Sequence, residues 1–306
     1  WQNTQVGMPD RVLDPFEPLQ RSGQSFSMWG RTYTWHDSLL PVQILNQGYD
    51  TLAGPVTLST KPGGKESGNP AEVQVLNSTP TRVALRTTGA VGGVPVSVDA
   101  RVEYDGMVWM QLKFRNQSER RLPGLYLVVP VKRQYATLFH VNSGGWGAGI
   151  SGSLGADRDW KFYPQIWVGN EELGVMWFAE DPSGWVRKDP DHTLSFEKGS
   201  GNVRMLIRLA DGEITVKPGQ TFEFGLNATP VKPLPPDWRF VRQEESYVWS
   251  GYCGKTDTET SPRFCRTEWY MKYIERIKRE YGIERQYQYQ WMANVNPDLP
   301  ELPYYS

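Results

Sequence analysis

Cysteine, histidine and net charge are all scarce in this chain of 306 residues, which holds two cysteines, three histidines and a formal charge of −1. Near-neutrality argues against a general nucleic-acid binder and against a polybasic membrane binder, because both rely on excess positive charge. His36, His140 and His192 are isolated along the sequence, and neither an HExxH motif nor a close Cys/His cluster is present. A zinc site therefore has little support, and no metal or cofactor is expected. No apolar run reaches the ~18 residues that a membrane helix needs. The longest stretch, 122–131, is interrupted by Pro123, Gly124 and Pro130. A Walker lysine and a GxSxG elbow are also missing. Residues 147–152 match GxGxxG in form, but no helical pattern follows, so a surface loop is expected there. The chain opens at Trp1 without a charged-then-apolar leader, as a processed or excised chain does. A disulfide between Cys253 and Cys265 fits an exported protein, and two reduced thiols fit as well.

The length corresponds to roughly two domains at ~150 residues each. With 39% apolar residues, such a chain can bury a sizeable core. Its 30 glycines and 23 prolines favour many short strands over long helices. The 13 tryptophans, 15 tyrosines and 11 phenylalanines serve either a sandwich core or a surface that stacks on sugar rings.

Hydrophobic periodicity divides the chain. Val94, Val96, Val98, Ala100 and Val102 alternate with Ser97, Asp99, Arg101 and Glu103, and Val108, Met110, Leu112 and Phe114 repeat the pattern. Asp105-Gly106 is expected to join them in a two-residue hairpin turn, one face apolar and the other wet. The same period of two recurs at Val203, Met205, Ile207 and Leu209, and at Phe222, Phe224, Leu226 and Ala228. Shorter strands are expected at 56–60, 73–76, 82–86, 165–168 and 174–179, with the first strand near Phe26. This density of strands predicts an antiparallel β-sandwich over 25–228, preceded by a loose or docking segment at 1–24. A proline-rich linker, 229–242, follows.

Beyond it the period becomes helical: Trp269, Tyr270, Tyr273, Ile274, Ile277 and Tyr281 form one stripe, flanked by strands at 246–250 and 286–291. Strand, helix, strand implies a parallel pair and the beginning of a (β/α)8-type barrel over 243–306. About 60 residues are too few for a barrel of ~250 residues, so the expectation is an incomplete catalytic-type domain, or else a small α/β appendage.

Carbohydrate-contact candidates are Trp146, in a glycine-rich loop, and Trp160, Tyr163 and Trp185, in Gly- and Asp-rich surroundings; the alternative for each is a place in the core. Asp157, Asp159, Glu171, Glu172, Glu180, Asp181, Asp189 and Asp191 are the clustered acids from which an acid–base pair could come, because glycoside hydrolysis generally uses two carboxyl groups. Most stand beside turn residues, where a solvated loop role is expected. No catalytic residue is assigned.

Residues 166–180, IWVGNEELGVMWFAE, followed by Gly184-Trp185, and residues 222–235, FEFGLNATPVKPLP, followed by Trp238-Arg239, resemble the N-terminal β-sandwich domain of glycoside hydrolase family 123 and its relatives. The resemblance extends loosely over 25–240. It implies a parent enzyme that hydrolyses β-N-acetylhexosaminides with retention, the substrate's acetamido oxygen attacking the anomeric carbon. An adjacent Asp-Glu pair in the barrel serves that reaction, the Asp orienting the acetamide and the Glu acting as acid and then base. This sequence contains no Asp-Glu dipeptide. The chain is accordingly expected to be a non-catalytic module of a secreted, periplasmic or cell-surface hydrolase. Its expected partners are a glycan or glycoconjugate and the rest of a barrel, with no nucleic acid and no membrane span. A binding or assembly-forming extracellular sandwich is the alternative, self-association through exposed strand edges being open to it. An enzyme with its site inside the sandwich is a third possibility.

Overall fold

The computed structural model describes residues 10–62, 69–142, 150–233, 245–250, 275, 276, 278, 279 and 285–290. Trp146, Cys253, Cys265, the first half of the 147–152 motif and the apolar stripe of 269–281 lie outside them. The chain falls into two compact units, Trp1–Pro233 and Leu234–Ser306.

The first unit is mainly β, and every strand ladder among its described residues is antiparallel. A nine-stranded sheet runs in the order Ser151–Ser153, Leu138–Val141, Gln165–Gly169, Gly174–Phe178, Thr221–Thr229, Met107–Phe114, Val94–Glu103, Arg82–Val91, Ala71–Ser78. A five-stranded sheet has the order Arg158–Trp160, Leu194–Lys198, Asn202–Ala210, Leu125–Lys132, Thr57–Ser59. Their apolar residues, among them Val98, Met110 and Phe224 of the larger sheet and Leu127, Phe196 and Met205 of the smaller, join one buried cluster. This is a sandwich-like arrangement, and none of these sheets closes into a barrel among the described residues.

The central hairpin follows the alternation closely. Val94, Val96, Val98, Ala100 and Val102 are buried, while Pro95 and Arg101 are exposed. Its turn differs from expectation. One strand ends at Glu103 and the next begins at Met107, so three residues, Tyr104, Asp105 and Gly106, form the connection. The Gly106 amide donates to the Glu103 carbonyl at 2.9 Å, and only Gly106 takes a positive φ, 84°. A turn ending in one left-handed residue needs glycine at that residue alone, which frees Asp105 to cap the Met107 amide through Oδ1 at 3.0 Å.

Leu125–Lys132 is apolar on both faces, so it carries no period-two signal, and seven of its eight residues are buried. Pro130 sits within it without breaking the ladder. Its carbonyl accepts from the Ala53 amide at 2.8 Å, so the position of its missing N–H also faces residues 51–53 and not the paired strand Asn202–Ala210.

The N-terminal residues form a third antiparallel sheet, Gln20–Ser22, Ser25–Met28, Arg31–Thr34, Gln43–Asn46 and Tyr49–Asp50. Strand structure thus begins at Gln20, ahead of the expected start near Phe26. Arg31, only 2% exposed, ties this sheet to the exit of the unit. Its guanidinium donates to the carbonyls of Asp105 (2.8 Å), Ala228 (3.1 Å) and Val231 (2.5 Å) and to Asn227 Oδ1 (3.3 Å). The Tyr33 hydroxyl donates to the Gly106 carbonyl and accepts from the Ala228 amide, both at 2.8 Å. Asn46 Nδ2 donates to the Thr229 carbonyl at 2.8 Å, and Trp167 Nε1 to Thr229 Oγ1 at 2.9 Å. Four side chains therefore fix residues 227–231 where the chain leaves the first unit.

In the second unit, Glu245–Ser250 and Arg285–Gln290 pair in parallel, Tyr247 opposite Tyr287. Between them Glu275, Arg276, Lys278 and Arg279 are helical and exposed. The strand–helix–strand order of the sequence pattern is present in these residues.

Candidate functional site

Three of the four aromatic candidates fall among the described residues, and each is half-buried against the core. Trp160 ends the edge strand Arg158–Trp160 with its ring directed inward, 5.3 Å from Phe196 edge-on and 5.5 Å from Phe139. Trp185 lies 5.4 Å from Phe162 and 6.1 Å from Trp177. Tyr163 carries the Lys161 ammonium 5.7 Å from its ring centre. Strand alternation explains the inward ring of Trp160: its neighbour on Arg158–Trp160 is Asp159, which faces outward. Trp160 and Trp185 are thus not brought together, and each keeps only part of its ring for solvent.

Asp159 opens a charged network on the outer face of the five-stranded sheet. Ser195 Oγ donates to Asp159 Oδ1 at 2.5 Å, and Arg208 donates both to Ser195 Oγ and, at 2.8 Å, to the His192 carbonyl. Glu197 is held between Arg204 and Arg208, the latter at 3.5 Å. His192 Nδ1 stands 3.4 Å from Asp159 Oδ1, and its Nε2 3.8 Å from Asp189 Oδ2. Burial pushes the nearby Tyr126 phenol up from its ordinary pKa; Asp211 adds to that and Arg208 opposes it. The two converging carboxylates, Asp159 and Glu197, each face a guanidinium. That arrangement locks side chains across strands, whereas general-acid catalysis needs a carboxyl group kept protonated by its surroundings.

Two further acids accept from the main chain. Asp157 Oδ1 accepts from the Lys198 amide at 2.8 Å. Asp181 accepts from the Ser183 amide at 2.7 Å, and these Ser183 bonds hold its carboxyl below its usual pKa. No cluster of three His, Cys, Asp or Glu residues able to hold a metal occurs among the described residues.

Two depressions that the sequence did not mark lie side by side. The larger, about 720 Å³ and open to solvent, is bordered by Ala53, by the 132–134 turn and by the hairpin turn Ser200-Gly201-Asn202. The Arg133 amide donates to the Gly201 carbonyl at 3.1 Å and the Lys132 amide to the Thr51 carbonyl at 2.9 Å, so main-chain bonds tie the 132–134 turn to its neighbours. The smaller, about 280 Å³, shares Gln134 and is bordered by Thr137, Asn170, Glu171 and Glu172. The one sequence signal was the Lys132-Arg133 dipeptide closing an apolar strand; Gly201 is brought beside it only by the pairing of Leu125–Lys132 with Asn202–Ala210.

No curated protein matches the chain. Among solved structures, a glycosyl hydrolase family 38 protein from Enterococcus faecalis aligns at 11% identity and a TM-score of 0.45, covering 76% of this chain and 33% of its own. An alpha-mannosidase from Enterococcus faecalis V583 aligns at 11% identity and 0.46, covering 74% and 31%. A galactose 1-epimerase from Lactobacillus acidophilus NCFM aligns at 6% identity and 0.37, covering 70% and 97%. The chain spans about a third of the length of the first two. The family model "Glycoside hydrolase 123, third domain" matches residues 19–230, nearly the whole first unit. That model is named for a third domain, where the sequence resemblance had placed the sandwich first. By this match, the chain belongs to the glycoside hydrolase 123 family.

Proposed function

We propose that this chain is a non-catalytic, carbohydrate-directed module of a family 123 glycoside hydrolase, and that its first unit braces a catalytic (β/α) domain in the same polypeptide. The family match over residues 19–230 carries this reading. Two further features support it. The converging carboxylates of the first unit are engaged by arginines. The antiparallel pattern gives way to a parallel strand pair in the second unit, as expected where a barrel begins. The parent reaction is retaining, substrate-assisted hydrolysis of β-N-acetylhexosaminides, with the acidic pair outside residues 1–306 and the enzyme exported. Trp160, Tyr163 and Trp185 are proposed to add partial ring faces to the glycan surface, and Trp146 is proposed as a fourth contact.

The test is hydrolysis of an aryl β-N-acetylhexosaminide by the intact source polypeptide, followed by proton NMR of the first-formed anomer. Turnover with retention is expected. An intact polypeptide that leaves both the galacto and gluco substrates untouched overturns the reading.

A further inference from the structure

Lys132 and Arg133 are two neighbouring cations at the larger depression, with no ion-pair partner among the described residues. On the paired strand Asn202–Ala210, by contrast, Arg204 and Arg208 hold Glu197. The other groups bordering the depression, Gln134, Ser200 and Asn202, are neutral and polar, and none of its borders is acidic. Neutral amides and hydroxyls suit the hydroxyls of a sugar, and a guanidinium suits a carboxylate or sulfate in bidentate fashion. The same turn carries Tyr135, whose ring lies 5.9 Å from that of Tyr49, itself 51% exposed. Exposed aromatic area next to unpaired cations is a combination that a packing role does not require. The adjoining depression, with Glu171 and Glu172, repels a run of negative charges. A polyanion is therefore disfavoured, and one anionic unit next to uncharged ones is favoured. A volume of about 720 Å³ exceeds what an inorganic anion fills and lies within the range of small-molecule sites.

We propose that the groove between the 132–134 turn and the Ser200-Gly201-Asn202 turn binds an anionic sugar unit, a hexuronate or a sulfated hexose derivative, with its charge at Lys132 and Arg133. This rests on the proposed function, in which the partner is a glycan, and it adds a ligand class to it.

The experiment is calorimetric titration of the 306-residue chain with N-acetylglucosamine 6-sulfate, with a glucuronate-containing disaccharide, with unsulfated N-acetylglucosamine and with inorganic sulfate. Binding of at least one anionic sugar is expected, weakening as salt is raised. Which of the two binds identifies the charged group. The double variant Lys132→Gln/Arg133→Gln should weaken that binding at least tenfold. Glu171→Gln/Glu172→Gln should leave it unchanged or tighten it. Arg133, Glu171 and Glu172 are exposed and Lys132 is half-buried, and main-chain bonds hold residues 132 and 133 in place, so the variants should melt with the parent. Equal binding by the double cation variant overturns the proposal, as does binding of neither anionic sugar, or sulfate binding as tightly as the sulfated sugar. Hydrolysis of an N-acetylhexosaminide by the source polypeptide alongside any of these results would sink the groove and leave the family reading standing.

Discussion

Arg31 is a buried cation whose described hydrogen-bond acceptors are neutral oxygens from three separate segments. Burial pulls its pKa below the ordinary guanidinium value, and multiple hydrogen bonds offset the lost hydration. Arg31→Met would leave the Asp105, Ala228 and Val231 carbonyls without this donor, and a loss of about 3 kcal/mol is expected in urea unfolding. Arg31→Lys should recover little, because an ammonium cannot span the same fork of acceptors. Tyr33 beside it provides a pH test. Burial pushes its phenol up to about 12 from 10. Above pH 10 the unfolded chain ionises this phenol while the folded chain keeps it neutral. The stability that this difference contributes is complete below pH 10. It falls by about 1.4 kcal/mol per pH unit until the folded group also titrates. Tyr33→Phe should be less stable at pH 8, having lost two hydrogen bonds, yet lose less stability than the parent between pH 10 and 12. Parallel alkaline slopes for the two proteins would refute this.

At the scale of elements, legibility followed the pattern of burial. The hairpin Val94–Glu103 and Met107–Phe114 buries one face, so its alternation is printed in the residues. Leu125–Lys132 buries both, and its unbroken apolar run with Pro130 reads as an interruption until the direction of each carbonyl is known. The turn at Gly106 was found in place and missed in type, because the three-residue form depends on register and not on the Asp-Gly pair alone. Gly106→Ala combines a left-handed backbone with a collision against the Arg31 guanidinium. It should cost at least about 2 kcal/mol by thermal unfolding, and a neutral result would remove the clamp from the account. The aromatic candidates were chosen for their Gly- and Asp-rich neighbours, a signal blind to which side of a strand a ring takes. Trp160 points between Phe139 and Phe196, so Trp160→Ala should lower stability by about 2 kcal/mol, whatever it does to sugar affinity. The Lys132–Gly201 groove was illegible for a different reason: antiparallel pairing brings together residues far apart in the chain, and the Lys132-Arg133 dipeptide alone does not record it.

On the scale of the whole molecule, the change of period near residue 230 coincides with the limit of the first compact unit at Pro233. Arg31, Tyr33, Asn46 and Trp167 all grip the strand just before it. A chain ending at Pro233 should therefore retain a single cooperative unfolding transition, with a midpoint within a few degrees of the 306-residue chain. The absence of such a transition would show that the first unit depends on residues 234–306 for its stability.

The central proposal is that this carbohydrate-directed unit carries no hydrolytic site of its own. The most direct measurement is release of aryl alcohol from β-N-acetylgalactosaminide and β-N-acetylglucosaminide substrates by the 306-residue chain, beside Asp159→Asn and Glu197→Gln. The account predicts no release above the buffer blank for all three proteins. Release by the parent chain that either substitution abolishes would place a catalytic carboxylate inside the β unit and contradict it.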